Sequence, residues 1–152
     1  YKRQRQGTCW GHASGARRVF DVCPLVLAGI RSMSQEENDF IKANSVPVFT
    51  WPSDLDQASF TQGIVDFLSD HVYISVDLDV LDPALMPAVG TPEPGGMDWR
   101  QLMGLLKEVA QQRQIVGFDV CELSPGDGPP ACSYTAAKLV FKMIAYASAF
   151  SR

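Results

Sequence analysis

The chain has 152 residues, 46% of them hydrophobic and 20% charged, enough for one ordinary domain with a sizeable core and too apolar for a disordered segment. Its 13 basic and 17 acidic residues leave a net charge of −4 and are scattered along the sequence, which argues against a general nucleic-acid binder, because such a protein carries a basic face. No apolar run approaches the roughly 20 residues that span a bilayer, and no signal peptide is visible.

The basic cluster Lys2, Arg3 and Arg5 is short and terminal, and reads as a solvated end. Cys9 and His12 could supply two zinc ligands, but no second pair follows at suitable spacing. The four cysteines, Cys9, Cys23, Cys121 and Cys132, are unpatterned, which suggests reduced thiols and a cytoplasmic location. Leu25 to Gly29 reads as a strand buried on both faces. Ser34 with Glu37 forms a capping box, so a helix is expected from there to about Ala43. Val46 to Thr50 is a second short strand, whose Pro47 suggests a sheet edge or a strand start. Ser59 to Asp70 has helical spacing in Phe60, Ile64, Phe67 and Leu68. Val72 to Val76 is a β-branched strand running straight into Asp77.

Residues 80 to 96 are rich in proline and glycine and read as a long loop. Asp98 caps a helix to about Gln112, and Ile115 to Val120 is another strand. The final helix, Tyr134 to about Phe150, is apolar almost all round and is expected to be well buried. Strands alternating with helices, without hairpins, predict a parallel α/β sheet covered on both faces. Ligands in such sheets bind beyond the carboxyl ends of the strands, where Asp77, Asp79 and Glu122 lie.

Residues i and i+2 of a strand point the same way, so Asp77 and Asp79 are expected to face one spot with Cα atoms roughly 7 Å apart. Two carboxylates so placed could ligate a pair of hard cations such as Mn²⁺ or Mg²⁺ about 3.5–4 Å apart. The plainer alternative is that these aspartates only cap the following turn, a role that suits Asp82 before Pro83. An EF-hand is excluded by Leu81 and Ala88 at ligand positions. A phosphotransferase with an Asp nucleophile stays open, although Lys107 and Lys138 fall inside predicted helices.

The run Ser75-Val76-Asp77-Leu78-Asp79-Val80-Leu81-Asp82-Pro83, followed by Pro87 and Gly90-Thr91-Pro92-Glu93-Pro94-Gly95-Gly96, resembles a metal-binding signature of the ureohydrolases, the arginase/agmatinase family. Val116 to Pro125 resembles that family's substrate-carboxylate strand. Trp10-Gly11-His12-Ala13 with Arg17-Arg18, and Gly29-Ile30-Arg31-Ser32, are similar to agmatinases in particular. The resemblance implies a three-layer α/β/α fold with a mainly parallel sheet, and a binuclear Mn²⁺ site. It gives Asp77 the bridging role and Asp79 a place in the second ion's shell. It gives Glu122 the substrate guanidinium, Thr91 a place in the pocket wall, and His12 a proton shuttle to the leaving amine. His12 on pattern alone is equally a surface or packing residue. The implied reaction is hydrolysis of a guanidinium to urea and an amine, with agmatine giving putrescine, and arginase-like or guanidinobutyrase-like substrates as rivals. A homo-oligomer is implied for the intact protein.

Two further ligand motifs of the family, Gly-Gly-Asp-His and Asp-x-His-x-Asp, do not occur in this sequence, whose histidines are His12 and His71. Residues 1–152 are therefore expected to be the C-terminal part of a single ureohydrolase domain. Such a chain by itself is expected to bind Mn²⁺ weakly and to turn over little or no substrate. A catalytically inactive relic or assembly partner is the competing expectation.

Overall fold

A computed structural model describes residues 15–150 of the chain. A short helix α1 (Gly15–Phe20) precedes strand β1 (Leu27–Ile30), helix α2 (Gln35–Asn44) and strand β2 (Val48–Thr50). Helix α3 (Gln57–Asp66) leads to strand β3 (His71–Asp77), a single 3₁₀ turn at Leu78–Val80 and a long loop. Helix α4 (Trp99–Gln112), strand β4 (Gln114–Cys121), a second 3₁₀ turn at Pro125–Asp127 and helix α5 (Pro130–Ala149) complete the order.

Local chemistry sets most of these boundaries. Ser34 accepts from the Glu37 amide while the Glu37 carboxylate accepts from Ser34 N, and Asp98 with Gln101 closes the same reciprocal box on α4, each satisfying two helix-end amides. Helix α3 is capped by Asp56, which accepts from Ser59 N. It therefore starts earlier than expected and stops at Asp66, which leaves Phe67 outside it and 60% exposed. Helix α5 also begins earlier than expected, with Pro130 at its start, where a missing N–H costs nothing.

Both strand pairs are parallel, β1 with β2 and β3 with β4. The parallel α/β class expected from the sequence holds, and the described strands pair as two two-stranded sheets. Each pair is a strand–helix–strand unit. Side-chain packing joins the two units, since Ala28 and Phe49 of the first lie against the same core as Val72 and Val76 of the second. Pro47 sits immediately before β2, where it costs no ladder bond. In β1 only Gly29 is fully buried, so the strand is not buried on both faces as expected.

On β3 and β4, Val72, Ile74, Val76, Phe118 and Val120 face the core, together with Leu102, Leu106 and Leu139 from the helices. The opposite face of β3 is open, with Tyr73 63% exposed. Helix α5 is not well buried either. Cys132, Ala136, Leu139 and Met143 pack inward, whereas Tyr134, Phe141 and Ile144 face outward. Among the described residues α5 packs on β4 and α4 on one side only, so an all-round apolar composition does not produce all-round burial.

The loop after β3 contributes to the same core: Leu81, Met86, Ala88, Val89 and Met97 are all buried. Asp82 organises it, as expected of a turn residue, accepting from the amides of Ala84, Gly95 and Gly96. These bonds hold its carboxyl below the usual range. No helix among the described residues is long and apolar enough to cross a membrane.

Candidate metal and substrate site

The register of β3 and β4 builds the site. Asp77 is the last residue of β3 and lies level with Cys121, the last of β4, so Glu122 follows directly beside it. Asp77, Ser75 and Tyr73 share the open face with Asp119 and Cys121, and Ser75 Oγ donates to Asp119 at 2.8 Å. Residues of alternate strand positions line one face, which gathers these polar groups on the side away from the core.

Asp79 reaches Asp77 by a route other than strand alternation. The strand ends at Asp77, whose Oδ1 accepts from Asp79 N at 3.1 Å and caps the 3₁₀ turn Leu78–Val80. Leu78 turns fully into the core, and Asp79 comes back toward Asp77 through the turn. The sequence expectation placed the pair on one strand face; an aspartate side chain bonding an amide two residues on produces the same convergence by bending the chain. Thr91 joins the group, its Oγ1 lying 3.4 Å from Asp79 Oδ2.

Glu122 adopts φ of +65°, a left-handed conformation unusual for a residue with a side chain, which costs of order 1–3 kcal/mol. Its neighbours hold it there. Leu123 forms a bridge with Val89, and Ser124 N donates to Ala88 O at 2.9 Å. Gly128 packs so closely on Ala88 that a Cβ would meet the Ala88 Cβ at 2.7 Å. The bend turns the Glu122 carboxylate over Gly90, where an added Cβ would lie 3.4 Å from Oε2. Gly90 is thus the point at which the loop leaves room for the carboxylate.

Asp77 feels the charges of both Asp79 and Glu122, and its electrostatics register them. Asp77 is exposed as a residue, yet crowding around its carboxyl removes hydration. That desolvation, with the charges of Asp79 and Glu122, pushes its pKa up to about 6, against the lowering effect of the Asp79 amide. The Cys121 thiol is likewise raised, by desolvation first and then by Asp77 and its acidic neighbours. Such crowding is relieved by a cation, and oxygen donors suit a hard one. The carboxylates of Asp77 and Asp79 therefore fit as part of a metal site. They do not complete one: the described residues contain no group of three or more His, Cys, Asp or Glu side chains placed to hold an ion.

The structure thus brings together Asp77, Asp79, Thr91 and Glu122, while His12, and Cys9 with it, lies outside the described residues. Asp119 and Cys121 also belong to the open carboxylate face. Alternation along β4, which sends Phe118 and Val120 to the core, places both on the opposite face. Cys23, Cys121 and Cys132 are free thiols.

The sequence profile of the arginase family matches residues 1–145. The chain is 39% identical over 140 residues to an N(1)-aminopropylagmatine ureohydrolase of Thermus thermophilus, an alignment covering 91% of this chain and 47% of the relative. It is 34% identical over 140 residues to an agmatinase of Pyrococcus horikoshii, covering 91% and 49%. The crystal structure of the agmatine ureohydrolase of Thermoplasma volcanium is similar, with a TM-score of 0.83 and 33% identity over 96% of this chain and 50% of that one. The chain spans about half the length of these relatives.

Proposed function

The chain belongs to the arginase family, and we propose that it supplies part of the active site of a ureohydrolase that splits a guanidino-amine into urea and a free amine. The observation that carries this reading is the convergence of Asp77, Asp79 and Glu122, with Thr91, at the carboxyl ends of two parallel strands. In this reading Asp77 and Asp79 hold part of a pair of Mn²⁺ ions. When bound, the ions lower the pKa of a water molecule and so supply the nucleophile of the hydrolysis at neutral pH.

The remaining roles fall to the chain's own side chains. Glu122 pairs with the guanidinium, whose planar donors match a carboxylate, and Gly90 keeps that carboxylate accessible. Thr91 orders Asp79 and lines the approach. His12 delivers a proton to the departing amine, a task for which an imidazole is suited. Water adds across the guanidinium C–N bond, so agmatine yields urea and putrescine. A longer substrate with the same head group, aminopropylagmatine, is the second reading, favoured by the name of the Thermus relative.

A chimera tests the proposal: this chain replaces the half of the Thermoplasma volcanium enzyme that it matches, and urea release is followed with Mn²⁺ present. Urea is expected from agmatine or aminopropylagmatine. Asp77→Asn should reduce turnover by on the order of 100-fold or more, since even groups that only support a metal ligand are worth 10–100-fold. Glu122→Gln should raise KM. A folded chimera that binds Mn²⁺ and releases no urea from either amine would contradict the reading.

A further inference from the structure

We propose that Arg31 is a positioning residue for the Asp77–Asp79 carboxylate pair, an inference that rests on the metal reading of that pair. Arg31 follows β1 directly and belongs to the first strand–helix–strand unit, whereas both aspartates belong to the second. Its guanidinium crosses between the units. Nη1 donates to Val80 O at 3.1 Å and Nη2 donates to Asp79 O. The hydrogen bonds go to main-chain carbonyls, so the cation fixes the peptide that carries Asp79 while leaving the carboxylate oxygens to other partners.

The turn it grips has little rigidity of its own. Leu78–Val80 is one 3₁₀ turn, a geometry with poor hydrogen bonds, and its closing bond, Leu81 N to Leu78 O, measures 3.2 Å. Val80 O also accepts from Met97 N at 2.8 Å, so Arg31 and the far end of the loop meet on one carbonyl. Two neighbours of Arg31 reinforce the grip. Ser32 Oγ donates to Glu93 on the same loop. Gly29, at φ of +79°, lets Val80 approach so closely that a Cβ would come within 2.5 Å of its Cγ2. The stretch Gly29 to Ser32 is therefore the base on which the carboxylate loop is seated.

A partly buried guanidinium bonded to two carbonyls gives charge-assisted contacts in a fixed fork. Lysine offers a compact ammonium whose three donors rotate freely, so it can reach a carbonyl but does not hold both in the fixed plane of the guanidinium fork. Methionine fills similar space and leaves both interactions unmade. The resulting expectation is a graded loss that is local to the turn.

The experiment is amide hydrogen exchange on the metal-free 152-residue chain, compared with Arg31→Met and Arg31→Lys. Exchange at Asp79, Leu81 and Met97 should rise by about tenfold or more in Arg31→Met, and by less in Arg31→Lys, while Leu105 and Leu106 of α4 keep their rates. Mn²⁺ titration followed by its paramagnetic resonance should show weaker binding in the same order. Unchanged exchange at Asp79 and Met97 would overturn the proposal. If Arg31→Met accelerates exchange everywhere, Arg31→Lys decides: a change confined to the turn supports positioning, and a uniform change refutes it. Unmodified chain that binds no Mn²⁺ contradicts the metal reading, and the exchange pattern still judges Arg31.

Discussion

Without a cation, desolvation and the neighbouring charges of Asp79 and Glu122 raise the pKa of the Asp77 carboxyl at the end of β3. Its folded pKa of about 6 stands above the ordinary value of 3.8, so folding favours the protonated form. The stability contributed by that protonation is complete below pH 3.8 and is lost as the pH rises through about 6. Metal-free Asp77→Asn should therefore lose this pH dependence and, near pH 8, melt higher than the unmodified chain. The gain should be about 1 kcal/mol or less, because solvent reaches the group. Thermal denaturation in chelator at pH 5 and pH 8 measures it; a variant that melts lower at both would show that the carboxylate stabilises the fold directly. The identity of this residue was legible in the sequence, since an acidic group ending an apolar strand invites the question of what compensates it. The posture of Asp79 was not. Alternation along a strand is a statement about extended backbone, and the Asp77 side chain ends the extension by bonding the Asp79 amide.

At the scale of elements, backbone crowding separates glycines that look alike in sequence. Gly96 lies where a Cβ would meet Asp82 N and Leu81 C at 2.5 Å, both immovable main-chain atoms. Gly104, inside α4, has nothing within 4 Å. Gly96→Ala should cost roughly 1–3 kcal/mol through overpacking and disturb the loop that Asp82 organises. Gly104→Ala should stabilise by about 0.5–1 kcal/mol through helix propensity. Denaturant melts of the two variants check the pair, and equal effects would mean that the loop is not seated as described. Helix starts with side-chain caps were readable, as at Ser34 and Asp98, because those signals are local. Helix α3 starts before its apolar spacing does, because Asp56 caps it ahead of Phe60. The burial of the loop residues Met86, Ala88 and Val89 had no readable signal, since it arises from contacts with Leu123, Ser124 and Gly128 far along the chain. Apolar periodicity also said nothing about which side of α5 finds a neighbour.

Across the described residues, two parallel strand pairs share a core, and an arginine after one pair bonds the main-chain carbonyls of the turn that follows β3 in the other. Alternation of strands and helices announced the parallel class, but strand order depends on which edges meet, and no residue pattern records that. The donor count decides what the chain can do by itself. Asp77 and Asp79 fit a hard cation, yet no third ligand stands with them among the described residues. The most direct measurement is a calorimetric Mn²⁺ titration of the 152-residue chain beside its Asp77→Ala/Asp79→Ala variant, with urea release from agmatine assayed on the same samples. Weak binding that disappears in the double variant, without urea, is the predicted result. Binding that survives in the double variant, or tight binding of two ions accompanied by urea, would contradict the account.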